Sequence, residues 1–401
     1  MTEPTDAEVQ PWNILAPPVT TLPHAPDPDE TWRLRGGSAW VYYAPGHESV
    51  VKPVIFSDGF NSGPSDRDMI WDGMEREAFP FISRLHERGS DLIILGYDER
   101  SASILKNAEV AIECIRRAAG APHREADLAV GGFSMGGLIT RYALAKMEEE
   151  QPPGHHTAVY FSYDSPHRGA WIPISLQALA HYLRRVAPGM SGQINSPAAR
   201  ELLWRHIAEV DEEPEQDPMR TEFLAELDRV GGWPSGPVKL GVANGSGRGI
   251  GPDIPPGEKA LECTGALHPY KTTTLYTQAS GNDKLVARLK GFLAAEPTLV
   301  HTSLPELDGA PGGMLESFGI ACDELAKYGA TSSAHRWVGF VPSVSAVAIR
   351  DLDTQDDLYA DISALPPEDS ELDEFLCASG NEPHSLMTEE LGGWLLDRLP
   401  K

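Results

Sequence analysis

The sequence predicts an α/β fold in which a mostly parallel central sheet is covered by helices on both faces. Short, continuous apolar runs followed by turn residues recur along the chain, as expected for strands buried on both faces. Between two of them, Ile104, Ala108, Ala111, Ile112 and Ile115 recur at helical spacing. A glycine-rich turn also joins one apolar run directly to a helical pattern. Strands that alternate with helices are typical of this class.

Apolar runs locate the strands of the predicted sheet. Four central strands are expected at residues 53–56, 92–95, 128–130 and 158–161, and a further one at 238–243. A hairpin is predicted around the Gly-Asn-Asp turn at 280–283. The stripe of Leu391, Trp394, Leu395 and Leu399 predicts a last amphipathic helix.

Composition divides the chain into a core and three other segments. Residues 1–30 contain seven prolines and predict an extended, poorly packed arm. The core is expected over 31–170 and 236–401. Leucine-rich helical stripes replace the strand–helix alternation at 171–235, which predicts an inserted helical cap. Residues from about 300 to 375 are rich in Gly, Pro and Asp and are interpreted as an irregular insertion within the core.

Charge and composition exclude several classes of function. The 33 basic and 59 acidic residues give a net charge of −26, so nucleic acid and anionic membrane surfaces are unsuitable partners. The four cysteines have no CxxC spacing, and no His, Asp or Cys cluster has metal-ligand spacing, so neither a metal nor a cofactor is expected. Without a signal-like start or a membrane-spanning apolar run, the expectation is a cytoplasmic protein with a small-molecule acyl substrate.

The chemistry-bearing motif is a Gly-x-Ser-x-Gly pattern formed by Gly132, Ser134 and Gly136. An apolar strand runs into it and a helical pattern runs out, which is the context of a nucleophile elbow. In such a turn the serine hydroxyl is exposed at a helix N-terminus, where the Met135 amide can donate to an oxyanion. A phosphate-binding loop is the other reading, but the lysine is missing and the glycine spacing differs.

Three stretches resemble the lipase and esterase branch of the α/β-hydrolase superfamily. They are Asp-Gly-Phe-Asn at 58–61, Gly-Phe-Ser-Met-Gly-Gly-Leu at 132–138 and Ser-Pro-His-Arg-Gly-Ala at 165–170. The segments 307–313 and 340–346 are similar to uncharacterised bacterial lipase-like hydrolases, in which the second borders the active site. The resemblance implies an α/β-hydrolase fold and a Ser-His-acid triad. It also implies that His167 and Arg168 are structural.

The resemblance assigns roles to residues around Ser134. The second oxyanion donor is expected to be the amide of Phe60, in a loop where Asp58 replaces the usual histidine. The base is expected late in the chain because the triad order is serine, acid, histidine. His384, in the loop before the last helix, is preferred over His301 and His335.

Two aspartates are candidates for the acid. Asp164 follows the strand after the elbow helix, a position that the vertebrate pancreatic lipase group also uses. Asp283 lies in a stretch that is superficially like the acid loop of bacterial lipases, but its flanks read as a hairpin turn. Asp164 is preferred, and Asp283 remains the alternative.

The expected activity is hydrolysis of a carboxylic ester through a covalent acyl-enzyme. The same triad would serve an acyltransferase or a cyclising thioesterase if an amine or alcohol replaced water as the acceptor. A third reading is a catalytically silent hydrolase fold that binds a ligand or a partner.

Overall fold

The structure is a computed structural model that describes residues 22–76, 78–150, 154–185, 187–265, 272–291, 296–327 and 329–400. The strands in chain order are β1 (Glu30–Leu34), β2 (Gly37–Tyr42), β3 (Pro53–Ser57), β4 (Asp91–Tyr97), β5 (Leu128–Phe133), β6 (Thr157–Tyr163), β7 (Val238–Ser246), β8 (Lys259–Thr264), β9 (Thr272–Tyr276), β10 (Lys284–Lys290), β11 (Thr298–Thr302), β12 (Gly312–Leu315), β13 (Ala330–Ser333), β14 (Val338–Pro342) and β15 (Glu374–Ala378).

The α-helices follow the same chain-order numbering. They are α1 (Arg67–Glu75), α2 (Phe81–Glu87), α3 (Ile104–Ala119), α4 (Met135–Glu150), α5 (Ile174–Tyr182), α6 (Pro188–Ile194), α7 (Pro197–Leu202), α8 (Pro218–Arg229), α9 (Ser317–Leu325), α10 (Ser343–Ala346), α11 (Gln355–Leu358) and α12 (Glu389–Arg398). Among the described residues, no helix is long and apolar enough to span a bilayer.

The central sheet contains eight strands in the order β1-β2-β4-β3-β5-β6-β7-β15. β2 is antiparallel to both of its neighbours, and every other neighbouring pair in the sheet is parallel. The predicted mostly parallel sheet is therefore confirmed. Parallel strands place their carboxyl ends at one edge, so the loops after β3, β5, β6, β7 and β15 meet there. Such an edge is where α/β sheets bind ligands.

Both faces of the sheet are buried, which explains why its strands read as continuous apolar runs. On one face, Ile55, Ile93 and Val130 join a core cluster with residues of α3 and α4. On the other face, Phe56 and Phe161 join a separate cluster with residues of α1, α2 and α12. Successive residues of each strand point to opposite faces, so one run supplies both clusters.

The segment predicted as a helical cap, residues 171–235, contains α5 to α8. It is tied back to the rest of the molecule where the Trp171 amide donates to the Phe340 carbonyl oxygen at 2.8 Å. After β7 the chain forms a five-stranded antiparallel sheet, ordered β11-β10-β9-β8-β13. The hairpin predicted around residues 280–283 is confirmed, because β9 and β10 pair antiparallel across that turn.

The structure shows regular or buried residues in two segments that the sequence predicts to be irregular or poorly packed. The segment 300–375 is not uniformly irregular, since it contains α9 and β12 to β14, and β12 pairs with β14. β12 and β13 have four residues each and are rich in Gly or Ser, so they give no apolar run. The proline-rich arm lies largely outside the described residues, but its end is packed. Ala25 is buried, and its amide donates to Asp68 Oδ1 at 2.9 Å.

Candidate active site

Ser134 occupies the turn between β5 and α4 in a left-handed conformation, with a φ of 51°. Such a backbone is strained for a residue with a side chain, and it lifts the hydroxyl above the sheet edge. The flanking glycines are required by space. A Cβ on Gly132 would lie 2.6 Å from the Ser57 carbonyl oxygen, and one on Gly136 would lie 2.4 Å from the same atom. The Gly-x-Ser-x-Gly pattern therefore forms a tight strand-to-helix turn in which only glycine fits at positions 132 and 136.

The position of this elbow in the sheet decides the fold. β5 lies between β3 and β6, and the left-handed serine leads directly into the helix that follows it. A serine on a strand-to-helix turn at the top of such a sheet is the arrangement of the α/β-hydrolases. The chain has the α/β-hydrolase fold.

Asp164 and His384 form a hydrogen-bonded pair at the same edge of the central sheet. Asp164 directly follows β6 and is fully buried, and its Oδ2 lies 2.6 Å from His384 Nδ1. Its Oδ1 accepts a hydrogen bond from the Asn244 amide at 3.0 Å. A carboxylate at Nδ1 fixes that nitrogen as the protonated one, which leaves Nε2 as the acceptor of the neutral ring.

The other sequence-based candidates for the acid and the base lie away from this pair. They are Asp283, His301 and His335. Asp283 is exposed in the turn before β10, where its amide donates to Ser303 Oγ at 3.1 Å. His301 lies in β11. The ring of His335 lies 3.3 Å from Glu258 Oε2. All three are in or beside the five-stranded sheet, whereas Ser134, Asp164 and His384 follow strands of the central sheet.

The β12–β14 pair braces the histidine loop. The Met314 amide donates to the Glu382 carbonyl oxygen at 2.9 Å, and the His384 amide donates to the Met314 carbonyl oxygen at 2.7 Å. The Phe340 ring packs edge-on against the imidazole with centroids 4.7 Å apart. A Cβ on Gly313 would lie only 1.9 Å from Asp164 Oδ2, so the backbone of β12 lies against the carboxylate. Only the resemblance of residues 307–313 and 340–346 hinted at these contacts.

Asn244, near the end of β7, joins Asp164 to the histidine loop, and sequence reasoning missed it. Besides the amide bond to Asp164, its carbonyl oxygen accepts from the Glu382 amide at 2.8 Å. Its side-chain Nδ2 donates to the Leu386 carbonyl oxygen at 2.9 Å. One residue thus contacts the carboxylate and both sides of His384.

The hydrogen bond expected between Ser134 and His384 is not formed in the described part of the structure. Among the described residues, His384 Nε2 bonds to the neighbouring Ser385 Oγ at 3.2 Å, and no hydrogen bond joins it to Ser134. Ser385 itself has a left-handed backbone, with a φ of 62°. Nucleophile and base contacts are commonly loose in the absence of substrate and tighten on binding.

The two expected oxyanion donors lie on either side of Ser134. Met135 is the first residue of α4, so its amide has no acceptor within the helix. Within the described part of the chain, neither this amide nor that of Phe60 donates to a protein oxygen. The Phe60 loop abuts the elbow, since a Cβ on Gly59 would lie 3.3 Å from Ser134 Cβ.

Asp58, which replaces the usual histidine in this loop, is buried. Its Oδ1 accepts from the Gly59 amide at 2.8 Å, and its Oδ2 accepts from Ser65 Oγ at 2.6 Å. The Arg100 guanidinium lies 3.6 Å from Oδ2. Burial raises the pKa of Asp58, while the charge of Arg100 and these hydrogen bonds oppose the rise.

The remaining polar features are separate from this arrangement. A cleft of about 590 Å³ near the cap is lined by charged residues that include Arg168 and Arg205, but Ser134 does not line it. His167 is buried against Ser162 Oγ at 3.0 Å, and burial lowers its pKa well below the usual value. Within the described ranges, no group of three or more His, Cys, Asp and Glu side chains is placed to hold a metal ion.

Comparison with protein-family models and with curated proteins finds no match. The mature form of a lipase from Bacillus licheniformis is 14% identical over 51% of this chain and 71% of its own, with a TM-score of 0.34. Carboxyl esterase 2 from Tuber melanosporum is 11% identical over 53% and 66%, with a TM-score of 0.32. An alpha-beta serine hydrolase homologue from Coxiella burnetii is 16% identical over 35% and 64%, with a TM-score of 0.25.

Proposed function

We propose that the protein is a serine hydrolase that cleaves a carboxylic ester through Ser134, His384 and Asp164. The observation that carries the proposal is the 2.6 Å contact between Asp164 and His384 at the sheet edge where Ser134 is presented. A buried carboxylate that fixes the tautomer of an imidazole prepares that ring to act as a base. A strained serine at the same edge of the sheet is the group that such a base would activate.

The proposed reaction has two halves. His384 Nε2 takes the Ser134 proton while Oγ attacks the acyl carbonyl, and Asp164 stabilises the imidazolium that forms. The amides of Met135 and Phe60 hold the negative oxygen of the tetrahedral intermediate, each contributing on the order of 3 kcal/mol in the transition state. The imidazolium then protonates the leaving alcohol. Water attacks the acyl-enzyme by the same route and releases the acid.

A rearrangement at His384 precedes the first step. Because Nε2 is engaged by Ser385 Oγ, it must exchange that partner for Ser134 Oγ before it can accept a proton. A small rotation of side chains on substrate binding is the simplest such exchange, since the Asp164 bond at Nδ1 can persist throughout.

The test is labelling with a fluorophosphonate probe, which reacts with activated serines, combined with hydrolysis of p-nitrophenyl esters of increasing acyl length. Labelling of the wild type that disappears in Ser134→Ala and His384→Ala, together with ester turnover, is the expected result. His335→Ala serves as the matched histidine control and should label normally. Absence of labelling in folded wild-type protein would contradict the proposal and favour a silent binding fold. Labelling without turnover would indicate either a substrate range that excludes these esters or an acceptor other than water.

A further inference from the structure

Arg100 is a buried arginine in the loop after β4, and its side chain contacts both ends of the loop that carries Phe60. It is 3% exposed. At one end of the loop, Nη1 lies 3.6 Å from Asp58 Oδ2. At the other end, Nη2 donates to the Ser62 carbonyl oxygen at 3.2 Å and Nε donates to that of Gly63 at 3.4 Å. A single guanidinium thus spans residues 58–63.

The Asp58 carboxylate carries a negative charge close to the proposed oxyanion site, and the Arg100 guanidinium balances that charge. Asp58 lies two residues before the amide proposed to stabilise an oxyanion. A second negative charge in a poorly solvated site would oppose the charge that develops in the transition state. An adjacent guanidinium balances the carboxylate, and the carboxylate remains available to accept the Gly59 and Ser65 hydrogen bonds.

The rest of the loop is anchored to the ends of β3 and β4. The Tyr97 amide donates to Ser65 Oγ at 2.9 Å, and the Tyr97 hydroxyl lies 2.6 Å from Ser57 Oγ. The loop also lies against the elbow at Gly59. A displacement of the loop by a fraction of an ångström would therefore change the distance between the Phe60 amide and the group attacked by Ser134. Misplacement by about 1 Å can cost roughly 100-fold in rate.

We propose that Arg100 is a positioning residue for the oxyanion site: it neutralises Asp58 and holds residues 58–63 in the conformation that presents the Phe60 amide beside Ser134. The inference rests on the proposed function, because it requires an oxyanion to form at Ser134. Arg100 acts through the loop and contacts no substrate.

The first test is Arg100→Met, which keeps the length of the side chain and removes its charge and donors. The expected result is a fall in kcat for a short p-nitrophenyl ester of roughly 100-fold, with KM changed by less than about threefold. The fluorophosphonate labelling rate should fall in parallel, since the phosphoryl oxygen uses the same donors. Arg88→Met is the matched control, because Arg88 also contacts a carbonyl oxygen and a carboxylate but lies in the loop after α2.

The second test separates charge balance from folding. In Arg100→Met/Asp58→Asn the unbalanced carboxylate is gone, so kcat should recover by about tenfold relative to Arg100→Met, and Arg100→Lys should retain an intermediate rate. A merely structural arginine would give additive losses in the double variant. If Arg100→Met does not fold, Arg100→Lys provides the milder change, because it keeps the positive charge but cannot contact both ends of the loop, and a fall in kcat of about fivefold with KM unchanged is expected.

The outcomes distinguish this inference from the proposed function. Wild-type protein that labels and hydrolyses esters, combined with a folded Arg100→Met or Arg100→Lys variant of unchanged kcat, would overturn the role of Arg100 alone. Additive losses in the double variant would do the same. A wild type that neither labels nor hydrolyses esters would overturn both proposals.

Discussion

Three residues of the candidate site share a left-handed backbone. Ser134, Asp164 and Ser385 have φ values of 51°, 50° and 62°, and they are half of the six non-glycine residues with positive φ in the described part of the chain. Each such residue costs on the order of 1 kcal/mol, and strain of this kind persists only where surrounding contacts hold it. The proposed nucleophile, the proposed acid and the neighbour of the proposed base are each held in this way.

Replacement of Asp164, the proposed acid, is the most direct test at a single residue. Asp164→Asn should lower kcat by roughly 10⁴-fold, because the amide cannot stabilise the imidazolium and no longer favours the required tautomer. Asp283→Asn is the matched control and should remain within about threefold of the wild type. Steady-state hydrolysis of a p-nitrophenyl ester measures both, and the reverse ranking would reassign the acid.

Ser385 gives a prediction of the opposite sign. Ser385→Ala removes the hydroxyl that occupies His384 Nε2, so the ring is free to bond to Ser134. The fluorophosphonate labelling rate should rise by about two- to fivefold, since a typical hydrogen bond contributes about 1 kcal/mol net. Ser363→Ala, at an exposed serine outside the site, should leave the rate unchanged. A slower Ser385→Ala variant would instead show that this hydroxyl orients the ring.

At the scale of elements, two different parts of the structure position the residues of the candidate site. Ser134 and its expected oxyanion donors depend on β3, β5 and α4, which are parts of the central layers. His384 depends on β7 through Asn244, and on the short β12–β14 pair through Met314 and Phe340. The two-stranded sheet of β12 and β14 therefore supports the candidate site as much as the central strands do.

Gly313 tests the role of the β12 strand. In Gly313→Ala the new methyl group would lie 1.9 Å from Asp164 Oδ2, so either the strand or the carboxylate must move. We expect kcat to fall by at least about 100-fold as the Asp164–His384 contact is lost. Gly73→Ala, in α1 with open space around it, should keep full activity and stabilise the protein by about 0.5–1 kcal/mol. Activity assays and thermal melts together separate the two effects, and an active Gly313→Ala variant would contradict this role.

At the scale of the whole molecule, Asp308 joins three parts of the structure. Its Oδ1 accepts from Trp171 Nε1 at 2.6 Å, its Oδ2 accepts from the Gln278 amide at 2.8 Å, and its carbonyl oxygen accepts from the Gly339 amide at 2.9 Å. These partners belong to the start of the cap segment, the loop after β9, and β14. Burial raises the pKa of this carboxyl to about 6.

This raised pKa predicts a stability change with pH. Because the native carboxyl binds a proton more readily than the unfolded one, its contribution to the free energy of unfolding grows as pH falls through about 6. Between pH 8 and pH 5 the wild type should gain about 1 kcal/mol relative to Asp308→Asn. Chemical denaturation of both proteins across that range measures the difference. A constant difference would mean that Asp308 does not titrate there.

The sequence predicts those parts of the fold and site that depend on local patterns. The runs at 53–56 and 128–130 are buried on both sides, so they read clearly as strands, and the elbow is recognisable from glycines that flank Ser134. Arg100 and Asn244 carry no such local signal, because their partners at Asp58 and Leu386 are far away in the chain. The β12 and β13 strands are too short and too rich in small residues to be seen in the hydrophobic pattern.

The dependence of His384 on Met314 and Phe340 limits how this protein could be engineered. The segment between β7 and β15 contains the five-stranded sheet, and its removal would leave all eight strands of the central sheet in the chain. The trimmed chain would keep Ser134, Asp164 and His384 but lose the backbone that fixes the base. A miniaturised version should therefore retain residues 312–315 and 338–342, joined by a new linker.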